Sequence, residues 1–168
     1  TQAITQGLGI KNIALTYQRP NMSGRAIFGE LVPYNEVWRT GANNIPSITF
    51  EEDVTIQGNK VPAGTYGIFT IPTAKDWTII LSKNVKQWGA YQYKQEEDLL
   101  RFTVPSHKLH EKVETFTMLF EDVTTNSTTQ ILFFKSEKKR EFSDVLNEVQ
   151  SYISSKYSAL VIDGINNV

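Results

Sequence analysis

Three arginines, Arg19, Arg25 and Arg39, lie close together in one irregular stretch of the sequence. The guanidinium group binds carboxylate, phosphate and sulfate through paired hydrogen bonds, because its donors form a planar fork. One interpretation is therefore an anionic pocket lined by two or three of these side chains. The alternative is structural: an ordered loop has many backbone carbonyls that need donors, and arginine satisfies them well.

Glu114 is the expected structural partner of one of these arginines. In the segment "VETFTMLF", strand alternation places Glu114 on the same face as Phe116 and Met118, which are core residue types. A buried carboxylate must be paired or protonated. We expect an ion pair between Glu114 and Arg39 or Arg25, which leaves the other arginines available for a ligand.

Aromatic side chains form a second group with binding chemistry. Trp88, Tyr91 and Tyr93 lie in "QWGAYQYK", a glycine-containing loop, and with Trp38 they offer a surface on which a sugar ring can stack. The alternative is a small hydrophobic core under the loops, because rings of this size bury large areas. The ligand-binding residues predicted from these patterns are Tyr17, Arg19, Arg25, Trp38, Arg39, Asn43, Trp88 and Tyr91.

The patterns for catalysis or metal binding are weaker. Glu30 and Glu36 lie in the arginine-rich stretch, and residues 51–53 form an acidic run that is typical of a solvated turn. His107 and His110 have a spacing that can hold a metal, but no third ligand is evident except a nearby glutamate, so we predict no metal site. Because no nucleophile or nucleotide-binding motif is present, no catalytic residues and no cofactor are assigned, and enzymatic activity stays uncertain.

The composition limits the classes of partner. The chain has 168 residues, a formal net charge of −1 and no cysteine. The charge argues against nucleic acid as a partner, since such proteins usually carry a basic excess. No apolar run approaches the roughly 20 residues of a membrane span. Without cysteine, disulfides and thiolate metal sites are excluded.

Most of the sequence predicts strands. "KNIALTYQ" alternates apolar and polar residues with period two, and further short runs of strand type follow at short intervals without helices between them. This pattern predicts a mainly β fold, an antiparallel, jelly-roll-like sandwich of about 8–9 strands. The runs are "SITF", "DVTIQ", "VPAGTYGIFTIP", "DWTIILS", "LLRFTVP", "VETFTMLFEDV" and "TTQILFFKSE".

The end of the chain has a different period. From Phe142 to Tyr157, apolar residues recur at the three- and four-residue spacing of an amphipathic helix. We therefore divide the chain into a β domain at 1–140 and a helical appendage at 141–168, which packs on the sheets or mediates a homodimer of an otherwise monomeric protein. The last segment, "SALVIDGINNV", fits either a final helical turn or a short strand.

The stretch that contains the arginines, residues 17–44, is unusually long for a connection between strands. It carries too much apolar and aromatic surface for a disordered linker. We therefore expect it to be ordered and packed on the sandwich.

The same stretch also carries a family resemblance. The motifs "RP-x-x-x-GR-x-IFG-x-LVPY-x-x-VWRTGAN", "VPAGTYGIFTIP", "WTIILSKN" and "WGAYQY" resemble the DUF2911 proteins of Bacteroidetes and related bacteria, and the match covers about residues 10–135. The resemblance implies export, so we expect a periplasmic or secreted protein; a removed signal peptide fits a sequence that starts at Thr1, as does a trimmed boundary. It implies no reaction.

Three functions are compatible with these patterns. The first is an exported protein that binds a small anionic or carbohydrate-like ligand through the Arg- and Trp-rich loops. The second is a hydrolase or lyase that acts on an acidic glycan, with an arginine neutralising the carboxylate. The third is a purely structural protein of the cell envelope.

Overall fold

The fold is mainly β and its sheets are antiparallel. The computed structural model describes residues 1–8, 11–106, 113–121, 127–133 and 160–167. In chain order the strands are β1 (Gln2–Leu8), β2 (Lys11–Tyr17), β3 (Ser47–Phe50), β4 (Val54–Ile56), β5 (Asn59–Val61), β6 (Gly64–Pro72), β7 (Asp76–Ser82), β8 (Asp98–Pro105), β9 (Thr117–Glu121), β10 (Ser127–Phe133) and β11 (Leu160–Asn167).

The strands form two sheets. One has six strands in the order β1-β2-β3-β6-β7-β8, and the other has five in the order β5-β4-β11-β10-β9. The alternation of β2 explains its place: Ile13, Leu15 and Tyr17 are buried, and the residues between them are less so. Ile13 lies opposite Phe50 and Leu15 opposite Ile48, so buried residues of neighbouring strands share one face.

One hydrophobic cluster draws on both sheets. Leu15 and Ile79 belong to the six-stranded sheet, Val54 and Met118 belong to the five-stranded sheet, and all four lie in the same buried cluster. Because side chains alternate along a strand, the intervening residues of β6 and β7 point to the other face of the six-stranded sheet. There Phe69 and Ile80, which lie opposite each other across the two strands, form a second cluster with Ile45.

The residues that cover this second face come from loops. They are Val37 and Ile45 of the segment between β2 and β3, and Ala90 and Tyr93 of the segment between β7 and β8. The long segment, residues 17–44, is called the long connection below; the other, residues 88–93, is called the aromatic loop. The two loops meet on the outer face of the six-stranded sheet.

The long connection is held on the protein by apolar side chains. Ile27 and Val32 are buried, and Phe28 makes edge contacts with Trp38 and Trp77. Trp77 is 9% exposed and belongs to the hydrophobic core. The connection is ordered because these side chains replace the repeating contacts that a strand or helix would provide.

The C-terminal segment is described only at residues 160–167. The predicted helix, residues 142–157, lies outside the described residues, as do His107 and His110. Of the two alternatives for the last segment, the strand is the one observed, because β11 pairs with β10 on one side and with β4 on the other.

Candidate functional site

A cavity of about 450 Å³ opens between the long connection and the aromatic loop. Its position follows from the fold, since both loops pack on the same outer face of the six-stranded sheet. It is lined by Pro20, Asn21, Arg25, Ile27, Leu31, Val32, Pro33, Glu36, Val37, Trp38, Arg39, Gly41, Ala42, Ala90 and Tyr91.

Backbone hydrogen bonds fix both walls of the cavity. The amide of Trp38 donates to the carbonyl of Thr70 at 2.7 Å, and the amide of Thr70 donates back to Trp38 at 3.0 Å. The amide of Gly89 donates to the carbonyl of Asn43 at 3.0 Å, which joins the two loops directly. These hydrogen bonds hold the cavity walls in place, which lowers the ordering cost of binding a ligand.

Arg39 is the distinctive side chain of this cavity. It is half-buried, and its guanidinium carbon lies 6.0 Å from the centroid of the Trp88 ring. Its Nε is buried without a hydrogen-bond partner, and among the described residues its guanidinium forms neither a hydrogen bond nor an ion pair. A half-buried cation with unused donors has the chemistry to bind an anion.

The other two arginines are engaged by the protein itself. Arg19 donates from Nε to the carbonyl of Phe116 at 3.2 Å and from Nη2 to Oγ1 of Thr117 at 2.9 Å. Arg25 donates from Nε and Nη2 to two backbone carbonyls of its own turn, each at 2.8 Å. Arg25 lines the cavity and Arg19 does not. The structural alternative therefore describes Arg19 well, and the anion-binding interpretation narrows to Arg39 with Arg25 beside it.

Glu114 does not pair with either predicted arginine in the described structure. Its Oε1 accepts a hydrogen bond from the backbone amide of Ser23 at 2.8 Å, and its carbonyl accepts one from the amide of Met22 at 2.7 Å. The expected contact between Glu114 and the long connection exists, but the partner is backbone. Glu114 is only half-buried and precedes β9, so it needs no cation to compensate its charge.

The aromatic residues have two different roles. Trp38 makes edge contacts with Phe28, Trp77 and Phe116, so it belongs to the packing under the long connection and also forms part of the cavity wall. Trp88 is 60% exposed and Tyr91 is 80% exposed, and their rings stack with centroids 6.0 Å apart and planes 20° from parallel. This exposed pair stands at one side of the cavity, where Tyr91 lines it.

Two further predicted binding residues, Tyr17 and Asn43, also lie outside the cavity lining. Tyr17 is buried, and its hydroxyl donates to the carbonyl of Met118 at 2.9 Å and accepts from the amide of the same residue at 3.0 Å. Burial raises the pKa of Tyr17. Asn43 is exposed, outside the cavity lining, and contributes its backbone carbonyl to Gly89. The ligand-binding assignment of Tyr17 is therefore wrong, because the alternation of β2 points its ring into the core.

A polar cluster under the aromatic loop was missed from the sequence. The hydroxyl of Tyr93 donates to Asp98 at 2.8 Å, and Arg101 donates both to that hydroxyl and to Asp98. Burial raises the pKa of Tyr93, and the Tyr93 ring packs edge-on against Phe69. The three-residue separation of Asp98 and Arg101 is a weak signal in a strand, where the side chains at that spacing nominally point to opposite faces.

The carboxylates considered for catalysis do not converge. Glu36 lines the cavity, whereas Glu30 is exposed and lies outside its lining. Within the described residues there is no group of three or more side chains that is arranged to hold a metal ion. No helix in the described part of the chain is long and apolar enough to cross a membrane.

The comparisons with known proteins place the chain in a family without supplying an activity. No curated protein and no solved structure matches the chain. One family model, described as "Protein of unknown function (DUF2911)", matches residues 1–140, which include the long connection, Arg39 and the aromatic loop. Since that match covers far more than half of the sequence, the chain belongs to the DUF2911 family.

Proposed function

We propose that this protein is a binding protein that holds a small anionic or carbohydrate-like ligand in the cavity between the long connection and the aromatic loop. The observation that carries the proposal is the state of Arg39: a half-buried guanidinium in a cavity wall, without a hydrogen bond or ion pair to any described residue. Leaving such donors unused costs stability unless water or a ligand satisfies them.

The exposed aromatic pair supports the same proposal. Large exposed aromatic rings at the edge of a concave site are typical of binding surfaces. Trp88 and Tyr91 stand beside Arg39, so a ligand in the cavity meets both a cation and a stacking surface.

The carboxylates of the cavity favour binding over glycoside hydrolysis. A glycosidase needs two carboxyl groups roughly 5–10 Å apart across its cleft. Of the described residues that line this cavity, only Glu36 is acidic. The alternative that the arginines only brace the loops accounts for the hydrogen bonds of Arg19 and Arg25, but it does not explain Arg39, which has no such bond among the described residues.

The test is a thermal-shift measurement on the wild-type protein against sulfate, phosphate, glucuronate and a sulfated glycan at low salt, where electrostatic attraction is least screened. A ligand present at a hundred times its Kd raises Tm by about 5–10 °C for a chain of this size. We expect Arg39→Met to lose the shift. Lys60→Met is the control, because it removes one positive charge from an exposed residue outside the cavity lining.

If no compound of this panel or of the carboxylate panel described below stabilises the wild type, the binding proposal fails and a structural role is the better account. If Arg39→Met and Lys60→Met both keep the shift, an anion binds, but not at this cavity.

The finer architecture and the location are also proposals. The shared cluster of buried residues supports two sheets packed face to face as a jelly-roll-like sandwich, with residues 142–157 as a helix on the sandwich or on a second copy. A solved structure and the mass in solution test these points. Export to the periplasm or medium rests on the family resemblance, and fractionation of cells that express the complete gene tests it.

A further inference from the structure

We infer that the ligand of this cavity is a monocarboxylate with an apolar body rather than a sugar acid. This inference rests on the proposed function, since it names the class of anion that the same cavity takes. Charge, wall chemistry and the surroundings of Arg39 support it separately.

The charge of the cavity matches a single negative charge. Its lining contains two arginines, Arg25 and Arg39, and one glutamate, Glu36, so the formal sum is +1. A carboxylate carries one negative charge at neutral pH, whereas a phosphate monoester carries about 1.5 to 2. A dianion or a sulfated chain would bring more charge than the lining residues balance.

The walls offer few neutral side-chain partners to a polyhydroxylated ligand. Most of the lining residues are apolar, and Asn21 and Tyr91 are the two neutral residues of the described lining whose side chains carry a hydrogen-bonding oxygen. The Oδ1 of Asn21 already accepts a hydrogen bond from Thr115 at 2.8 Å. A saccharide that enters such a cavity leaves hydroxyls without partners, each at a cost. An aliphatic or aromatic body has no such groups and instead removes apolar surface from water.

The surroundings of Arg39 place the cation beside an aromatic ring. At Gly89, the position that a Cβ would occupy lies 2.9 Å from Cε2 of Tyr91 and 3.4 Å from Nη1 of Arg39. The guanidinium and the Tyr91 ring therefore approach the same point of the backbone. A ligand whose carboxylate meets the Arg39 guanidinium has the Tyr91 ring beside it, and Leu31, which is 56% exposed, adds apolar surface to the same cavity.

The experiment is calorimetric titration of the wild-type protein with five probes: 3-phenylpropionate, octanoate, 3-phenylpropanamide, glucuronate and phenyl phosphate. We expect the two apolar carboxylates to bind at least tenfold more tightly than glucuronate, the amide and phenyl phosphate. We also expect Arg39→Met to weaken 3-phenylpropionate at least tenfold, while Lys60→Met leaves its Kd within twofold.

The panel separates failure of the inference from failure of the proposed function. Glucuronate bound as tightly as the apolar carboxylates overturns the inference and leaves an anion-binding protein. Tighter binding of phenyl phosphate than of 3-phenylpropionate also overturns the inference, because the cavity would then prefer a ligand with more than one negative charge. The amide bound as tightly as the acid shows that no anion is needed, and this overturns both. No binding by any of these probes, while the sulfate, phosphate or glycan of the first panel shifts Tm, rejects the inference alone.

Discussion

The guanidinium carbon of Arg39 lies 6.0 Å from the centroid of the Trp88 ring, and this contact joins the long connection to the aromatic loop. A cation over an indole at an exposed site contributes about 0.5–1 kcal/mol. The contact uses the charge of the guanidinium but none of its N–H donors. Arg39 is therefore held in place while its capacity for hydrogen bonding stays unused by the described protein groups.

Substitutions of Arg39 and Arg19 should differ in their effect on the free energy of unfolding. Arg39→Met removes one cation–π contact and one unpartnered buried donor, so we expect the free energy of unfolding to change by less than about 1 kcal/mol. Arg19→Met removes two hydrogen bonds to β9 and its preceding residue, and we expect a loss of about 1–2 kcal/mol. Urea denaturation of both variants measures the difference. An Arg39 variant that is the less stable of the two would mean that Arg39 has a structural partner.

Gly89 sets the spacing between Arg39 and Tyr91. Its φ is +75°, and an added Cβ would lie 2.9 Å from the Tyr91 ring, so Gly89→Ala must displace that ring. Gly58 has the same φ of +75° with nothing within 4 Å, so Gly58→Ala carries the same backbone strain, about 1 kcal/mol, without the collision.

We therefore expect Gly89→Ala to destabilise the protein more than Gly58→Ala does, and to weaken ligand binding, which Gly58→Ala leaves unchanged. Urea denaturation and calorimetric titration of the two variants measure these effects. Equal losses of stability with no change in binding would show that Tyr91 moves freely and does not shape the site.

The strands were predictable because their signal is local. In β2, period-two alternation identifies both the strand and its buried face, and the structure confirms the buried positions Ile13, Leu15 and Tyr17. The same pattern contained the error about Tyr17, because an aromatic residue at a strand end reads equally well as core or as site. β1 was not predicted, since "QAITQGL" is polar and joins the sheet only by pairing with β2.

The cavity was predictable in part. Arginine and aromatic residues near the two loops indicated a shared site, and the structure brings Arg25, Trp38, Arg39 and Tyr91 together. The sequence does not reveal which arginine has free donors. The two acceptors of Arg19 are the backbone carbonyl of Phe116 and the hydroxyl of Thr117, and both lie almost a hundred positions away in the sequence. The polar cluster of Tyr93, Asp98 and Arg101 likewise depends on how the loop folds back on β8.

The stability of a Glu114→Ala variant distinguishes an arginine partner of Glu114 from the observed backbone partner, the Ser23 amide. An ion pair buried with an arginine would make Glu114→Ala cost about 3–5 kcal/mol. The observed hydrogen bond to the Ser23 amide lies in exposed surroundings, so we expect a loss of about 1 kcal/mol instead. Thermal or urea unfolding of the variant decides between the two values. A loss above about 3 kcal/mol would restore a charged partner for Glu114.

Tyr17 connects the end of β2 to β9 through both backbone groups of Met118. Tyr17→Phe keeps the ring contact with Phe116 but removes the donor and the acceptor that Met118 uses in a buried place. We expect a loss of about 2–3 kcal/mol, since buried backbone groups that lose their partners are costly. Tyr66→Phe is the matched control, because its hydroxyl makes one part-buried hydrogen bond, to Pro62, and we expect about 1 kcal/mol.

The same hydroxyl gives the stability of the protein a dependence on alkaline pH. Burial raises the pKa of Tyr17 above its ordinary value near 10, with the Met118 hydrogen bond and Arg19 opposing the shift. Above about pH 10 the unfolded chain releases this proton while the folded protein retains it, so the unfolded state binds fewer protons and the free energy of unfolding falls as pH rises. This contribution of the Tyr17 hydroxyl to the free energy of unfolding is complete below about pH 10 and is lost as pH rises through the pKa of Tyr17 in the folded protein.

We therefore expect the stability difference between wild type and Tyr17→Phe to be constant from pH 7 to 9 and to shrink at pH 10.5 and 11. Other tyrosines and the lysines titrate in both proteins, so they cancel in this difference to first order. Urea denaturation at each pH measures it. A difference that stays constant to pH 11 would mean that the Tyr17 hydroxyl ionises equally in the folded and unfolded states, which its burial opposes.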